Sequence, residues 1–272
     1  MRVLEVLERS ADGITTHPLS YISINRYGKG SFNGSELPIY LLVPGQRESL
    51  PIGSVGIVLS SGAVMPSYFL SIGDDLLFRI VEGEPLSSLN IERCGFLPVS
   101  ARAEVLRPIS VGVLTVSDKG SLGQRIDLSG PALERSVVPL GAVVEATAIK
   151  PDDMDVIADT LKEWSDSLLL NLVLVTGGTG LSERDVTPEA LSSVAHKHVP
   201  GIGEAMRSAS LRITPNAMLS RLCAVTRNKT LIVGMPGSEK AVLECFAVIA
   251  PALRHGIEIL CGWDGECGSR PD

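Results

Sequence analysis

Apolar positions fall into two regimes along the chain. Up to about residue 108 they form short runs, among them Tyr21–Ile24, Ile39–Val43, Ser54–Leu59, Asp75–Val81 and Ala103–Leu106. Turn formers separate these runs: Tyr27-Gly28-Lys29-Gly30, Asn33-Gly34, Pro44-Gly45, Pro51-Ile52-Gly53 and Ser61-Gly62. Runs of strand length punctuated by Gly and Pro predict a small, mainly β domain, a barrel or a sandwich. No stretch before residue 110 has the length and period of a helix.

From Val111 the pattern alternates between strand and helix. Val111–Val116 is a continuous apolar run, as in a strand buried on both faces. A polar loop follows, and Ser129 with Pro131 marks a helix start. Val143–Ile149 predicts a second strand, with Pro151 and Asp152 opening a helix to about Asp166. Leu172–Val175 predicts a third strand. Further helices are expected from Thr187 and over Gly201–Ile213. Thr230–Val233 predicts a fourth strand, and Ser238 caps a helix to about Val248, where Pro251 kinks it or starts another. This order predicts an α/β, three-layer sandwich around a parallel sheet. The expected organisation is a β domain over 1–108, the α/β domain over 109–262 and a tail over 263–272.

Composition narrows the function. With 272 residues, 44% hydrophobic and 20% charged, the chain has material for two real cores. The formal net charge of -7 argues against a broad basic surface for nucleic acid, and 4% aromatics against base-stacking platforms. No apolar run reaches the length of a membrane span, and the N-terminus has no secretory pattern. Five cysteines, Cys94, Cys223, Cys245, Cys261 and Cys267, include no CxxC spacing. Reduced thiols in a cytoplasmic protein are the expectation. Cys261 and Cys267 bracket a tail that reads as a metal site or a frayed end.

Ligands of an open α/β sheet collect at the carboxyl ends of its strands. Four loops leave such ends here: Ser117-Asp118-Lys119-Gly120; Lys150-Pro151-Asp152-Asp153; Thr176-Gly177-Gly178-Thr179-Gly180 with Arg184-Asp185-Val186-Thr187-Pro188; and Met235-Pro236-Gly237-Ser238. The glycine turn reads either as a phosphate cradle or as a tight strand-to-helix connection. It matches neither a P-loop nor GxGxxG. Asp152 and Asp185 are candidate magnesium ligands. Equally, Asp152 reads as a helix cap and Asp185 as the partner of Arg184 or another base. Ser117-Asp118 reads as a turn or a phosphate contact, and Ser238 as a cap facing the ligand edge. His196 and His198, two apart, make weak metal ligands, and His17 and His255 stand alone. Lys119, Arg125, Arg184, Arg207, Arg221 and Lys240 are available for anions. No Ser/His/Asp or Cys/His arrangement supports acyl transfer.

These strings, with Val113–Asp118, Gly130–Leu133, Arg184–Glu189, Pro200–Glu204 and Leu219–Arg221, resemble the molybdopterin adenylyltransferase family, which includes Mog and MoaB-type proteins and a domain of gephyrin. The resemblance covers about residues 109 to 262. It implies that the terminal phosphate of molybdopterin attacks the α-phosphorus of ATP, releasing pyrophosphate, with Mg2+ as the metal. It makes Asp152 and Asp185 the essential acids and metal ligands. It makes Ser117, Asp118 and Thr176–Gly180 the nucleotide and phosphate site, and Pro236, Gly237 and Ser238 the pterin loop. A homotrimer and contact with a molybdenum insertase are further implications. A pterin or nucleotide carrier and a hydrolase of the related competence-damage type are the alternatives. Asp153, directly after Asp152, leaves the metal ligand open by one position. The β domain departs from the family. It reads as a sulfur-carrier-type module, with Cys94 its one candidate nucleophile, or as an interaction or oligomerisation domain.

Overall fold

The short apolar runs of the first hundred residues become strands in a computed structural model that describes residues 1–24, 30–60, 67–73, 76–83 and 86–263. The chain divides into two units, Met1–Pro108 and Ile109–Asp272. The first contains β1 (Val3–Ser10), β2 (Gly13–Thr16), β3 (Leu19–Ile24), β4 (Gly30–Phe32), β5 (Ile39–Leu42), β6 (Ser54–Leu59), β7 (Phe69–Ile72), β8 (Leu76–Val81), β9 (Ser88–Arg93), β10 (Gly95–Pro98) and β11 (Ala103–Leu106). Eight of them form one sheet in the order β11-β7-β8-β9-β5-β6-β1-β2, antiparallel except for β5 beside β6. The sheet β10-β3-β4 supplies Ile22, Phe32 and Leu97 to the same buried core as Val6, Ile57 and Phe78. Two sheets over one core is the arrangement that alternating, half-buried strands require. The expected turns at residues 27–29 and 61–62, and Asp75 and Cys267, lie outside the described residues.

The second unit is built on the sheet β13-β12-β14-β17-β16-β15: β12 (Ile109–Val116), β13 (Ala142–Lys150), β14 (Leu172–Thr176), β15 (Lys197–His198), β16 (Cys223–Arg227) and β17 (Thr230–Met235). The first four strands of this order are parallel. Successive side chains of β12 and β14 enter opposite cores. Val111, Val113, Leu172 and Leu174 pack with Phe246, Ile249 and Leu253, whereas Leu114, Val116, Val173 and Val175 pack with Ile157, Leu161 and Leu191. Each such side chain, fully buried, contributes about 1.5–3 kcal/mol, so the continuous apolar runs specify a sheet covered on both faces.

The helices are α1 (Asp118–Ser121), α2 (Ser129–Val137), α3 (Met154–Lys162), α4 (Thr187–Val194), α5 (Pro200–Leu211) and α6 (Glu239–Cys261). Several details differ from expectation. Ser129 does not cap α2. Asp127 does so from two residues upstream, its Oδ1 accepting from Ser129 N, Gly130 N and the Ser129 hydroxyl, each at 3.0 Å. Likewise α3 is capped by Asp153, which accepts from Asp155 N and Val156 N, so Asp152 is free of that task. The sheet is not wholly parallel. β16 runs antiparallel to β17 through a two-residue turn with Asn228 at φ 49°. Finally, α6 runs unbroken through Pro251. The carbonyl that Pro251 cannot bond belongs to exposed Ala247, while Ile249, Leu253 and Ile257 are buried on both sides of the proline. Their burial outweighs the roughly 3 kcal/mol that an internal proline costs.

Candidate active site at the strand ends

α2 packs on one face of the sheet and α4 on the other, yet they follow adjacent strands, β12 and β14. The chain therefore parts at the carboxyl ends of these strands and leaves a crevice. A cavity of about 460 Å³ lies there. β12 contributes Thr115 and Val116 to its wall, with Ser117 just after; Asp152 follows β13; Thr176 ends β14, with Gly177 and Gly178 after it; Gly237, Ser238 and Glu239 follow β17. Asp185 completes the floor, and Arg125, Ile126, Asp127, Leu128 and Ser129 the rim.

The glycine turn is fixed by its neighbours. Gly177 has φ 103°, and a Cβ there would lie 2.2 Å from the Val116 carbonyl oxygen. Gly178 has φ 62°, and its Cβ would meet the Thr187 hydroxyl at 2.4 Å and Asp152 Oδ1 at 3.2 Å. Only glycine takes both conformations at this closeness. Thr187 Oγ1 donates to Gly177 O at 2.8 Å, and Thr187 N to Gly178 O at 3.0 Å. Gly177 N is spent on Met235 O, so the first amide of the turn does not face a ligand. Thr176 Oγ1 ties the turn to Pro236 O at 2.7 Å, and Gly237 packs against Gly177. Ser238 accepts from Ala241 N and caps α6.

Asp118 and Asp152 hold each other. Asp118 N donates to Asp152 Oδ2 at 2.8 Å, and Asp152 N donates to Asp118 Oδ1 at 3.0 Å. Arg184 forks onto the same Asp118 carboxylate, Nε at 3.1 Å and Nη2 at 2.8 Å. This hydrogen bond from Arg184 holds the Asp118 carboxyl below its ordinary range. Asp152 shifts the other way: burial raises it first, with the Asp118 and Asp185 carboxylates adding to the rise. Arg184 thus pairs with Asp118, not with Asp185, whose Oδ2 accepts from Ser182 N at 2.8 Å. Ser117 Oγ accepts from Gly120 N at 3.1 Å and closes the turn into α1.

The expected site residues therefore divide into two groups. Ser117, Asp152, Thr176, Gly177, Gly178, Asp185, Gly237 and Ser238 share one cavity. Asp118, Thr179, Gly180 and Pro236 do not line it and act as its framework. Asp127 was not expected in the site. It accepts from Thr115 Oγ1 at 2.6 Å and caps α2, so four donors consume its charge. An acid two residues before Ser129-Gly130-Pro131 was the available signal. His196 accepts from Asn228 N at 3.1 Å, and His198 lies exposed in β15. Burial pushes the Cys223 thiol up to about 11, which keeps it protonated and poorly nucleophilic.

Four carboxylates, Asp127, Asp152, Asp185 and Glu239, and one cationic side chain, Arg125, line the cavity. Among the described residues no three metal-ligating side chains converge. Two carboxylates are what a hard divalent cation takes when substrate phosphates and water complete its shell. Gly178 leaves Asp152 Oδ1 unobstructed on the cavity side, so the residues present fit such an ion.

The unit is thus an α/β sandwich with a strand-end cavity, a double-glycine turn and four carboxylates around it. More closely, the chain belongs to the family described as the probable molybdopterin binding domain, whose model matches residues 112–255. The molybdopterin adenylyltransferase of Helicobacter pylori strain J99 is 40% identical over 159 residues, 58% of this chain and 90% of the relative. Gephyrin of Dictyostelium discoideum is 41% identical over 160 residues, 55% of this chain and 22% of that protein. The structure of the molybdopterin biosynthesis enzyme MoaB from Thermus thermophilus superposes with a TM-score of 0.54 at 41% identity, covering 57% of this chain and 97% of that one.

Proposed function

We propose that the second unit adenylylates molybdopterin with ATP. The observation that carries this reading is the placement of Asp152 and Asp185 in one cavity beside the Gly177-Gly178 turn. A terminal phosphate oxygen of molybdopterin attacks the α-phosphorus of ATP. The bond from that phosphorus to the bridging oxygen breaks, and pyrophosphate leaves. The nucleophile is already an anion, so no general base is needed; positioning and charge stabilisation suffice. Mg2+ held by Asp152 and Asp185 would neutralise charge on the transferring phosphates. The chain's own part is orientation. Asp118 fixes Asp152 through the reciprocal backbone bonds, Ser182 fixes Asp185, and the two glycines let the turn lie close against Val116, Thr187 and Asp152 in the cavity wall.

Incubating the protein with molybdopterin, ATP and Mg2+ should yield adenylylated product and stoichiometric pyrophosphate. Asp185→Asn should lower the rate by roughly a hundredfold or more, the scale set by loss of one electrostatic stabiliser. Wild type and Asp185→Asn behaving alike would sink the reading. Ligand retained without pyrophosphate release would instead mark a carrier, and AMP release without pterin a hydrolase. The same reading includes a homotrimer, cytoplasmic location and hand-over of product to a molybdenum insertase. Among the described residues no helix is long and apolar enough to cross a membrane. Light scattering giving the mass of a single chain would count against the trimer. For residues 1–108 the reading is an interaction or oligomerisation module. Cys94, between β9 and β10, is partly exposed there.

A further inference from the structure

Asp185 sits on a short loop between Gly180 and α4, and what holds that loop comes from elsewhere in the chain. Arg221 precedes β16 and does not line the cavity. Its Nε donates to Gly180 O at 2.7 Å, and its Nη2 donates to Asp185 O. Its own N–H donates to Thr179 O at 3.0 Å, and Nη1 pairs with Glu189. One guanidinium thus grips both ends of the loop by carbonyl oxygens.

Within the loop, the Asp185 carboxylate turns back on Ser182 N, and a Cβ at Gly180 would come within 2.8 Å of Asp185 Oδ2. The carboxylate is thus held against the Gly180 end of the loop, so its place depends on the spacing of the two loop ends. The loop is also tied by the Arg184 fork on Asp118, a largely exposed pair that solvent screens. We propose that Arg221 is a positioning residue: its fork on Gly180 O and Asp185 O fixes the loop and thereby aims the Asp185 carboxylate into the cavity. A planar fork is required, because a lysine ammonium presents a point charge and cannot span both carbonyls in one orientation. Glu189 neutralises the guanidinium and is not itself part of the grip. The inference rests on the adenylyltransferase reading only in giving Asp185 its purpose.

The test uses the full chain as wild type, Arg221→Lys, Arg221→Gln and Glu189→Gln. Amide hydrogen exchange is read over residues 181–186 and, as an internal control, over β12 and β14. Mn2+ affinity is read by electron paramagnetic resonance with ATP present. For both Arg221 variants, exchange in 181–186 should rise and Mn2+ affinity should fall, each by roughly tenfold or more, the factor a lost charge-assisted hydrogen bond commands. β12 and β14 should stay protected, and Glu189→Gln should remain within about twofold of wild type, since it keeps both carbonyl bonds. Unchanged exchange in 181–186, or a rise shared equally with β12 and β14, would overturn the clamp. Loop exchange rising with Mn2+ affinity intact would overturn the positioning role. Wild type that binds Mn2+ but forms no adenylylated pterin, with the loop response as expected, would sink the function and leave the clamp standing. Wild type that binds no Mn2+ would overturn both.

Discussion

Single residues set this site through what they lack as much as through what they carry. Gly177 combines φ 103° with the Val116 carbonyl oxygen 2.2 Å from where a Cβ would be. Alanine there adds about 1–3 kcal/mol of backbone strain before any steric overlap is counted. Gly177→Ala should therefore lower the melting temperature by several degrees and abolish nucleotide binding, because the backbone can relax only by moving the turn. Gly201 is the control: it lies in α5 with open space where a Cβ would be. Gly201→Ala should leave the melting temperature unchanged or raise it, since alanine is favoured in a helix by up to about 1 kcal/mol. Equal melting curves for the two variants would show that the turn tolerates a side chain. The glycine pair was legible from sequence because the run Thr176–Gly180 ends a buried strand. Asp127 and Arg221 were less so, because their roles depend on partners that only the fold brings near.

At the scale of elements, the parallel strands were legible because β12, β14 and β17 are apolar at nearly every position, as strands buried on both faces must be. The antiparallel edge was not, because Cys223–Arg227 is short and half-buried and its turn, Asn228-Lys229, lacks glycine. That hairpin is tied down by Asp166, in the π-helical turn Glu163–Ser167 after α3. Asp166 accepts from Arg227 Nε at 3.0 Å and Asn228 Nδ2 at 2.7 Å. The Arg227 hydrogen bond holds its carboxyl below the ordinary 3.8. A depressed folded value stabilises the protein above the unfolded value and is lost as pH falls through the folded one. The melting temperature of Asp166→Asn should accordingly lie below that of wild type at neutral pH. The gap should begin to close as pH falls below 3.8, where the unfolded chain takes up the proton, and should be gone below the depressed folded value. A gap that stays constant between neutral and strongly acidic pH would show that the pair contributes nothing through charge. Both side chains are partly exposed, so solvent screens the pair and the effect is modest.

Across the whole molecule, charge and function are unevenly placed. Residues 1–108 hold 9 basic and 11 acidic side chains, and the remainder carries -5 of the total -7. The acidic excess lies in the unit whose cavity is to receive phosphates, and that cavity itself presents four carboxylates against Arg125. A general positive field cannot draw in an anionic substrate; on the proposed reading, a divalent cation held by Asp152 and Asp185 would invert the local sign. The second unit contains every part of this device: both cores, all four strand-end loops, Asp118, Arg184 and Arg221. The Helicobacter relative, matched over 90% of its length, spans only 58% of this chain. Residues 109–272 expressed alone should therefore fold cooperatively and adenylylate molybdopterin at a rate within about twofold of the full chain, since none of the positioning contacts is removed. Product formation, followed with and without Mg2+, checks this. Activity should vanish with chelator in both chains and return with the metal. A soluble, folded fragment that binds Mn2+ but makes no product, beside an active full chain, would mean that residues 1–108 complete the reaction, and the search for missing groups would turn to the β unit.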